Sequence, residues 1–502
     1  MLANTSATGL GFLLLPVTAL FGPLAALNVG LVVAPVASAA AMMFVAQRWT
    51  TSRISAALAG LLYGFSPLVL FHDALGHLNV TFLAVAPLVL WCLDDLFVRR
   101  RHSVRRVGIG LGLLLTWQFF VGSEVLLLIV MLSALGLLVV GVGAVTLDRS
   151  STLVALRRGG VGLGVAGLVS AVLLVGPVSY SVFGPRHYSG AVWPGRVLSN
   201  DSIRSFVTAH GGPGLWFAPS TWHFLPSNYL SPALVLVIVA GVVWCRRDRR
   251  VIVAAALLAL SIGLTLGQRY WFAPWHWLVK VPVLNNIVND RFSFFIFLFA
   301  ALIVIRVADK VRATLSARTA LIALVCASAL VGSPYVIDAV RVAPYPASAV
   351  WIPAWYRDVG AKLAPGHVVL GFPFFNTSAN LLAVQALNEM RYSVVGGTTP
   401  QWLIQRQGPA QAGYRDIWNA SSMSAQPLLA SRATAQEMSD VAIALSYWHV
   451  TDVVLPRSIG PNTSPVARAP NELRSWLSSI LGPAHNVDHA WVWSLVPKQQ
   501  HN

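Results

Sequence analysis

Ten apolar runs, each divided from the next by a short polar break, constrain this chain more than any other feature. They cover about residues 23–47, 54–72, 78–98, 106–121, 124–146, 159–183, 229–245, 251–268, 290–306 and 319–337. A helix needs roughly 17–25 apolar residues to cross the hydrocarbon of a bilayer. A backbone inside lipid must also satisfy its own hydrogen bonds, which favours helices. The runs therefore predict an all-α polytopic membrane domain of about ten transmembrane helices. Composition agrees: 56% of the 502 residues are hydrophobic and only 11% are charged, whereas a soluble domain carries about a quarter charged residues. The fourth run is short and nearly meets the fifth across "FFVGSE". Residues 106–146 thus read either as two helices or as one broken helix and one full one.

The net charge of +17 would suit a nucleic-acid partner, but its placement excludes one. Most of the arginine lies in short connections between apolar runs. Alternate connections carry Arg48 and Arg53, then Arg99 to Arg106, then Arg149, Arg157 and Arg158, then Arg246 to Arg250, and last Arg306, Lys310, Arg312 and Arg318. The connections between these hold few cations. An excess of Lys and Arg marks cytoplasmic loops, so the alternation assigns the basic set to the cytoplasm of a plasma-membrane protein. It leaves the N-terminus and everything after about 337 outside. Residues 338–502 lose the long apolar runs. "HVVLGFPF", "RYSVVGG", "VTDVVLP" and "AWVWSLV" read as strands, and "ATAQEMSDVAIALSYW" and "APNELRSWLSSIL" as helices. A small extracytoplasmic α/β domain is expected there.

Residues 1–22 hold no charged side chain. Without a basic segment ahead of the apolar stretch they do not read as a signal peptide. We expect them to be the tail of an extracytoplasmic loop, either irregular or as a short helix lying against the membrane surface, with the membrane domain at 23–337. Cys92, Cys245 and Cys326 each lie in or beside an apolar run, which suits small packing residues rather than disulfides or a metal site.

Ionisable groups at the outer ends of the spans are costly to keep and so are functional candidates. The first outer connection, "LFHDALGHLNVTF", gathers His72, Asp73, His77 and Asn79. Such groups can bind phosphate or a divalent cation, or move a proton. In "TWQFFVGSEVLLL", Ser123 and Glu124 open a span; Glu124 either caps the helix or acts on a ligand. The long connection 184–228 holds Trp193, Arg196, Asp201 and Trp222, which can stack on sugars and pair with phosphate or form an interfacial aromatic belt. In "VPVLNNIVNDRFSFF", Asp290 and Arg291 adjoin where a helix re-enters the membrane, beside Asn285, Asn286 and Asn289. The pair is either a clamp for a phosphate-bearing head group or an interfacial anchor. No Walker loop, dinucleotide fingerprint or CxxC occurs, so no cofactor is expected beyond a possible divalent cation.

The runs "GLGFLLLPVTALFGPLAALN", "LAGLLYGFSPLVL", "LGHLNVTFLAVAPLVLWCLDDL" and "QFFVGSEVL" resemble the actinobacterial multi-span glycosyltransferases of the GT-C class. The similarity is clearest over 5–146, looser through "VPVLNNIVNDRF", and faint in the C-terminal domain. It implies transfer of a sugar from a polyprenyl-phosphate donor to a cell-envelope glycan, lipid or protein acceptor outside the membrane. It also implies a carboxylate that takes the acceptor's proton and cationic groups that hold the departing phosphate. On this resemblance Glu124 and His77 are the expected catalytic residues, and Asp73 joins them if it points into the same cavity as the class's own acidic residue. His72, Asn79, Ser123, Asp290 and Arg291 are expected to bind substrate, as are Trp193, Arg196, Asp201 and Trp222. The class keeps an acidic residue in its first outer loop, after its first span. Here nothing acidic precedes Asp73, so either a span and loop belong upstream or the copy is inactive. Two other readings stay open: a flippase or transporter of lipid-linked glycans, and a non-catalytic partner in envelope assembly.

Overall fold

A computed structural model of the chain describes residues 7–145, 149–184, 202–207, 228–281, 284–342, 352–374, 384–396, 408–423, 428–458 and 468–495. Seven of its helices are long and apolar enough to cross a membrane. They are Leu15–Ala46, Leu78–Arg99, Val104–Val121, Ser123–Gly141, Thr152–Phe183, Asn289–Thr314 and Ala317–Val340. Arg53–Gly64 and Pro67–Ala74, bent by 44° at their break, make an eighth if taken as one span. The chain is a multi-pass membrane protein. All ten apolar runs are helical, but among the described residues the full-length count is lower than ten. Two runs give shorter helices, Pro232–Trp244 of 13 residues and Arg249–Thr265 of 17. Side chains set where these start: the Ser231 hydroxyl accepts from Leu234 N–H, and the Asp248 carboxylate accepts from Arg250 N–H.

The region 106–146 resolves into two helices, separated by Gly122 in an extended conformation (φ −171°, ψ 100°). At the start of the chain, residues expected to be a loop tail are helical, as Thr8–Leu13 and then Leu15–Ala46. The expected span start at 23 is a kink instead, where Gly22 leaves helical geometry (φ 84°, ψ 168°) ahead of Pro23. At the other boundary, the helix Ala317–Val342 continues past residue 337.

In lipid, helices associate through close packing rather than water exclusion, so small residues mark their interfaces. A Cβ on Gly60 would sit 2.5 Å from the Ala39 carbonyl oxygen, and one on Gly64 would sit 2.5 Å from the Ala39 nitrogen. These two glycines, four apart, let Arg53–Gly64 lie directly against Leu15–Ala46. Gly108 and Gly112 do the same against Gly162 and Ala166, with carbonyl oxygens 2.7 Å from the would-be Cβ. The helix Ser293–Thr314 buries every residue from Ser293 to Ile303. A helix apolar on all sides belongs in the interior, and this one forms the core of the bundle.

At one end of the bundle the five basic connections meet. Arg48 pairs with Asp94 (3.2 Å) and Asp95 (3.5 Å), and Arg99 with Asp94 (2.9 Å). The fully buried Asp95 also accepts from the His102 backbone N–H (3.1 Å) and contacts its ring (3.0 Å). Arg158 donates to the His102 carbonyl. Arg306 reaches Asp248 (2.8 Å), Asp309 (2.9 Å) and the Trp49 carbonyl (2.9 Å), while Thr50 donates to Asp309 (2.7 Å).

The C-terminal part carries a five-stranded sheet: β1 Val368–Gly371, β2 Ser393–Val394, β3 Asp452–Pro456, β4 His485–Val487 and β5 Ala490–Ser494. The order is β2-β1-β3-β5-β4, parallel across the first three and antiparallel across the rest. Alternation puts Leu370, Val453, Leu455 and Trp493 on one face and Val369, Val454 and Val492 on the other. The helices Gln411–Ser421, Ala435–Tyr447 and Pro470–Leu481 pack on the first face.

Candidate functional site

At another set of turns, the first outer connection closes on itself. The helix Pro67–Ala74 ends at Leu75, and Gly76 takes a left-handed conformation (φ +71°) that only glycine adopts freely. His77 N–H then bonds the His72 carbonyl, and Gly76 N–H the Asp73 carbonyl, both at 2.9 Å. This is a Schellman ending, in which the side chains three before and two after the cap meet. Those side chains here are His72 and His77, and their Nδ1 atoms lie 3.0 Å apart. The five-residue spacing across a glycine is therefore what brings the imidazoles together. His72 is buried, while His77 stays open to the surface. Where the His77 ring turns onto His72 it is shielded. That shielding first, and the Arg291 charge second, hold its pKa below the ordinary 6.5.

The second turn is Gly122–Glu124. A Cβ on Gly122 would lie 3.0 Å from the Asn79 carbonyl oxygen, so glycine lets this turn press against the one just described. Ser123 is exposed at the helix start. Glu124 stands in the first turn of its helix, where a carboxylate suits the dipole. Its oxygens nevertheless reach across to the third turn. Oε2 pairs with the Arg291 guanidinium, and Oε1 accepts from Val288 N–H (2.9 Å). Arg291 and Asp290 lie in the short 3₁₀ turn Asn289–Phe292, ahead of the central helix. The buried Asn289 donates to the Thr265 carbonyl (2.8 Å), which ties this turn to the end of Arg249–Thr265. Asn289 thus holds the backbone.

Three turns far apart in sequence therefore bring His72, His77, Asn79, Glu124, Asp290 and Arg291 into one neighbourhood. Several buried polar atoms in these turns lack a hydrogen-bond partner among the described residues: His72 Nε2, Asp73 Oδ1, Asn285 Oδ1, Asp290 Oδ1 and Arg291 Nε. Buried polar groups are almost always paired, and each exception calls for a ligand, water or ion. A guanidinium beside two imidazoles can hold a phosphate, and an unpaired carboxylate can take a proton. Gln118 escaped the sequence reading. It is fully buried, donates to the Gly122 carbonyl (3.3 Å), and leaves its Oε1 without a partner among the described residues. A lone amide inside an apolar run was the available signal.

Trp193, Arg196, Asp201 and Trp222 lie outside the described residues. Among the described residues, no three His, Cys, Asp or Glu side chains gather as a metal cage requires. His72 and His77 turn their Nδ1 atoms toward each other instead of toward a shared point. Among the described residues, these two rings therefore present no shared point to a cation.

No protein-family model matches the chain, and no curated protein is similar to it. Solved structures are. A cryo-EM structure of the arabinofuranosyltransferase AftD from Mycobacteria matches with a TM-score of 0.53 at 14% identity, over 96% of this chain and 35% of that one. A mutant form of AftD matches with a TM-score of 0.53 at 15% identity, over 97% and 36%. This chain spans about a third of the length of these AftD chains. At such identity the likeness concerns architecture: the chain has the fold of part of a mycobacterial arabinofuranosyltransferase, a multi-span helical bundle with a small sheet domain.

Proposed function

We propose that the chain is a membrane glycosyltransferase of the GT-C kind. It takes a sugar from a polyprenyl-phosphate donor and passes it to a cell-envelope acceptor on the outer side of the membrane. One observation carries this reading: three separate turns converge to set a guanidinium beside two imidazoles, with unpaired carboxylate oxygens around them. The shared fold with AftD supports it. The Arg-rich connections gather in a cluster of their own, separate from this one. By the positive-inside rule that cluster lies in the cytoplasm, which supports an outward-facing site.

In this reading Arg291 and the His72–His77 pair hold the donor phosphate, while the lipid tail lies among the helices. The acceptor oxygen forms a bond to the anomeric carbon as the bond from that carbon to the phosphate oxygen breaks. The electron pair leaves with the phosphate, and the acceptor's proton passes to a carboxylate. Both oxygens of Glu124 are engaged, by Arg291 and by Val288 N–H. Glu124 therefore suits positioning Arg291 better than accepting a proton. Asp73, with Oδ1 unpartnered, suits the base role. The test is transfer of labelled sugar from a polyprenyl-phosphate donor by membranes holding wild type, Asp73→Asn or Arg291→Gln. Unchanged transfer in both variants sinks the assignment. Label that crosses vesicles without being transferred sinks the enzyme reading in favour of a flippase.

A further inference from the structure

The Arg-rich end of the bundle holds a cavity of about 770 Å³, separate from the site above. It lies where Pro232–Trp244 gives way to Arg249–Thr265, beside the last turns of the central helix. Its cations are Arg246, Arg247, Arg306 and Lys310, and its carboxylates are Asp248 and Asp309. The carboxylates are fully engaged. Asp248 uses one oxygen on Arg306 and the other on Arg250 N–H, while Asp309 uses one on Arg306 and the other on Thr50. The two carboxylates more than offset Arg306, and the lining, with four cations against two carboxylates, keeps a net charge of +2. Arg246, Arg247 and Lys310 form no ion pair with a described residue, so the cavity keeps an uncompensated positive charge.

An apolar track leads to it. Leu236, Val239 and Val243 share one face of Pro232–Trp244 and are 69%, 55% and 65% exposed, and the exposed Trp244 lines the cavity itself. A positive cavity at the end of an exposed aliphatic stripe matches a ligand with an anionic head and a hydrocarbon tail. The volume also exceeds what one inorganic phosphate fills. Basic pockets between membrane helices on the cytoplasmic side take anionic head groups. We propose that this cavity binds the phosphate of an anionic phospholipid, with its acyl chain along the Leu236–Val239–Val243 stripe. The occupant would brace the Arg306 hub that joins three connections.

The test uses the full chain, reconstituted with mixed phosphatidylcholine and phosphatidylglycerol and then taken into detergent, where general attraction to a charged surface is gone. Native mass spectrometry counts the phosphatidylglycerol retained. The wild type should keep it in preference to phosphatidylcholine. In Arg246→Gln/Arg247→Gln/Lys310→Gln retention should fall at least about tenfold, since charge-assisted contacts are lost. Arg53→Gln/Arg312→Gln/Arg318→Gln removes as many cations from the same end and should keep the lipid. Equal loss in both triple variants, or none in the first, overturns the cavity. Displacement of the lipid by inorganic phosphate at matched concentration overturns the lipid as the source of the phosphate. If the first variant fails to fold, Arg246→Lys/Arg247→Lys decides: retention supports the site and loss overturns it.

Discussion

Two polar clusters in the bundle are built from the same residue types and differ in one respect. In the Arg-rich cluster, the carboxylates are answered, and among the described residues only cations at its edge, Arg246, Arg247 and Lys310, are left over. Asp95 is fully buried yet takes two contacts from His102 and one from Arg48, and Arg306 is held by two carboxylates and a carbonyl. In the cluster around Glu124 and Arg291, atoms just as shielded are left over, among them His72 Nε2, Asp73 Oδ1 and Asp290 Oδ1. A partnered network holds helices in place, whereas an incomplete one is expensive unless something completes it. The contrast separates a paired carboxylate network that holds helices together from an incomplete one that a ligand would complete. Substitutions in the two should therefore fail differently.

The largest effect is expected for Asp73→Asn. Transfer should fall about 10²–10⁴-fold, the usual worth of a general base, with the melting temperature unchanged or raised. A matching loss of stability would make the two clusters alike and break the comparison. Asp95→Ala should do the opposite. It leaves Arg48 facing one carboxylate fewer in a shielded place and should cost about 3–5 kcal/mol of stability. Transfer per folded molecule should hold steady, as read by denaturation in detergent alongside the assay. Glu124→Gln lies between: it frees Arg291 without removing the base. A fall of roughly tenfold, about the worth of one charged hydrogen bond, should appear mainly in KM for the donor, with partial recovery in Glu124→Asp. A pure loss in kcat would instead return the proton-accepting role to Glu124.

Smaller effects sharpen the picture. Gly76→Ala forces a side chain into the left-handed region and should cost about 1–2 kcal/mol, with a rise in donor KM as the two imidazoles separate. The smallest concerns pH. The folded state holds the His77 pKa below 6.5, so the unfolded chain binds more protons as pH drops through 6.5. Stability should therefore be unaffected above that value and decline below it, toward the lower folded pKa. His77→Gln should flatten this decline, and an unchanged slope would show that His77 is not the group responsible.

Much of this was legible in the sequence because hydrophobicity is written residue by residue. All ten apolar runs are helices, and the basic connections assigned to one side do touch one another. The strands at 368–371, 393–394, 452–456 and 490–494 fall within their β-branched stretches. What escaped depends on partners. β4 is short and wholly exposed, so it carries no alternation. Gln411–Ser421 is polar on average and gains its place by packing against Ala435–Tyr447. The continuity of the stretch before Gly22 with the first span was hidden by Gly22 and Pro23, which kink a membrane helix without ending it. In the site, the residues were visible but their pairings were not. Glu124 looked like a cap or a base, and only the fold brings Val288 and Arg291 to it, more than 160 residues on.

The meeting of His72 and His77 has an electronic consequence. A contact through two Nδ1 atoms at 3.0 Å holds a single hydrogen. The ring that lends it keeps a bare Nε2, and the ring that receives it carries Nε2–H. The pair thus shows its surroundings one lone pair and one donor. Protonation of the bare Nε2, passage of the shared hydrogen to the other Nδ1 and release of that ring's Nε2–H together exchange the two roles, so a proton taken up at one ring can leave from the other. The five-residue turn therefore holds the two rings as complementary tautomers. Nitrogen chemical shifts of the two imidazoles would read it as one protonated and one bare Nε2, and matching Nε2 shifts would rule it out.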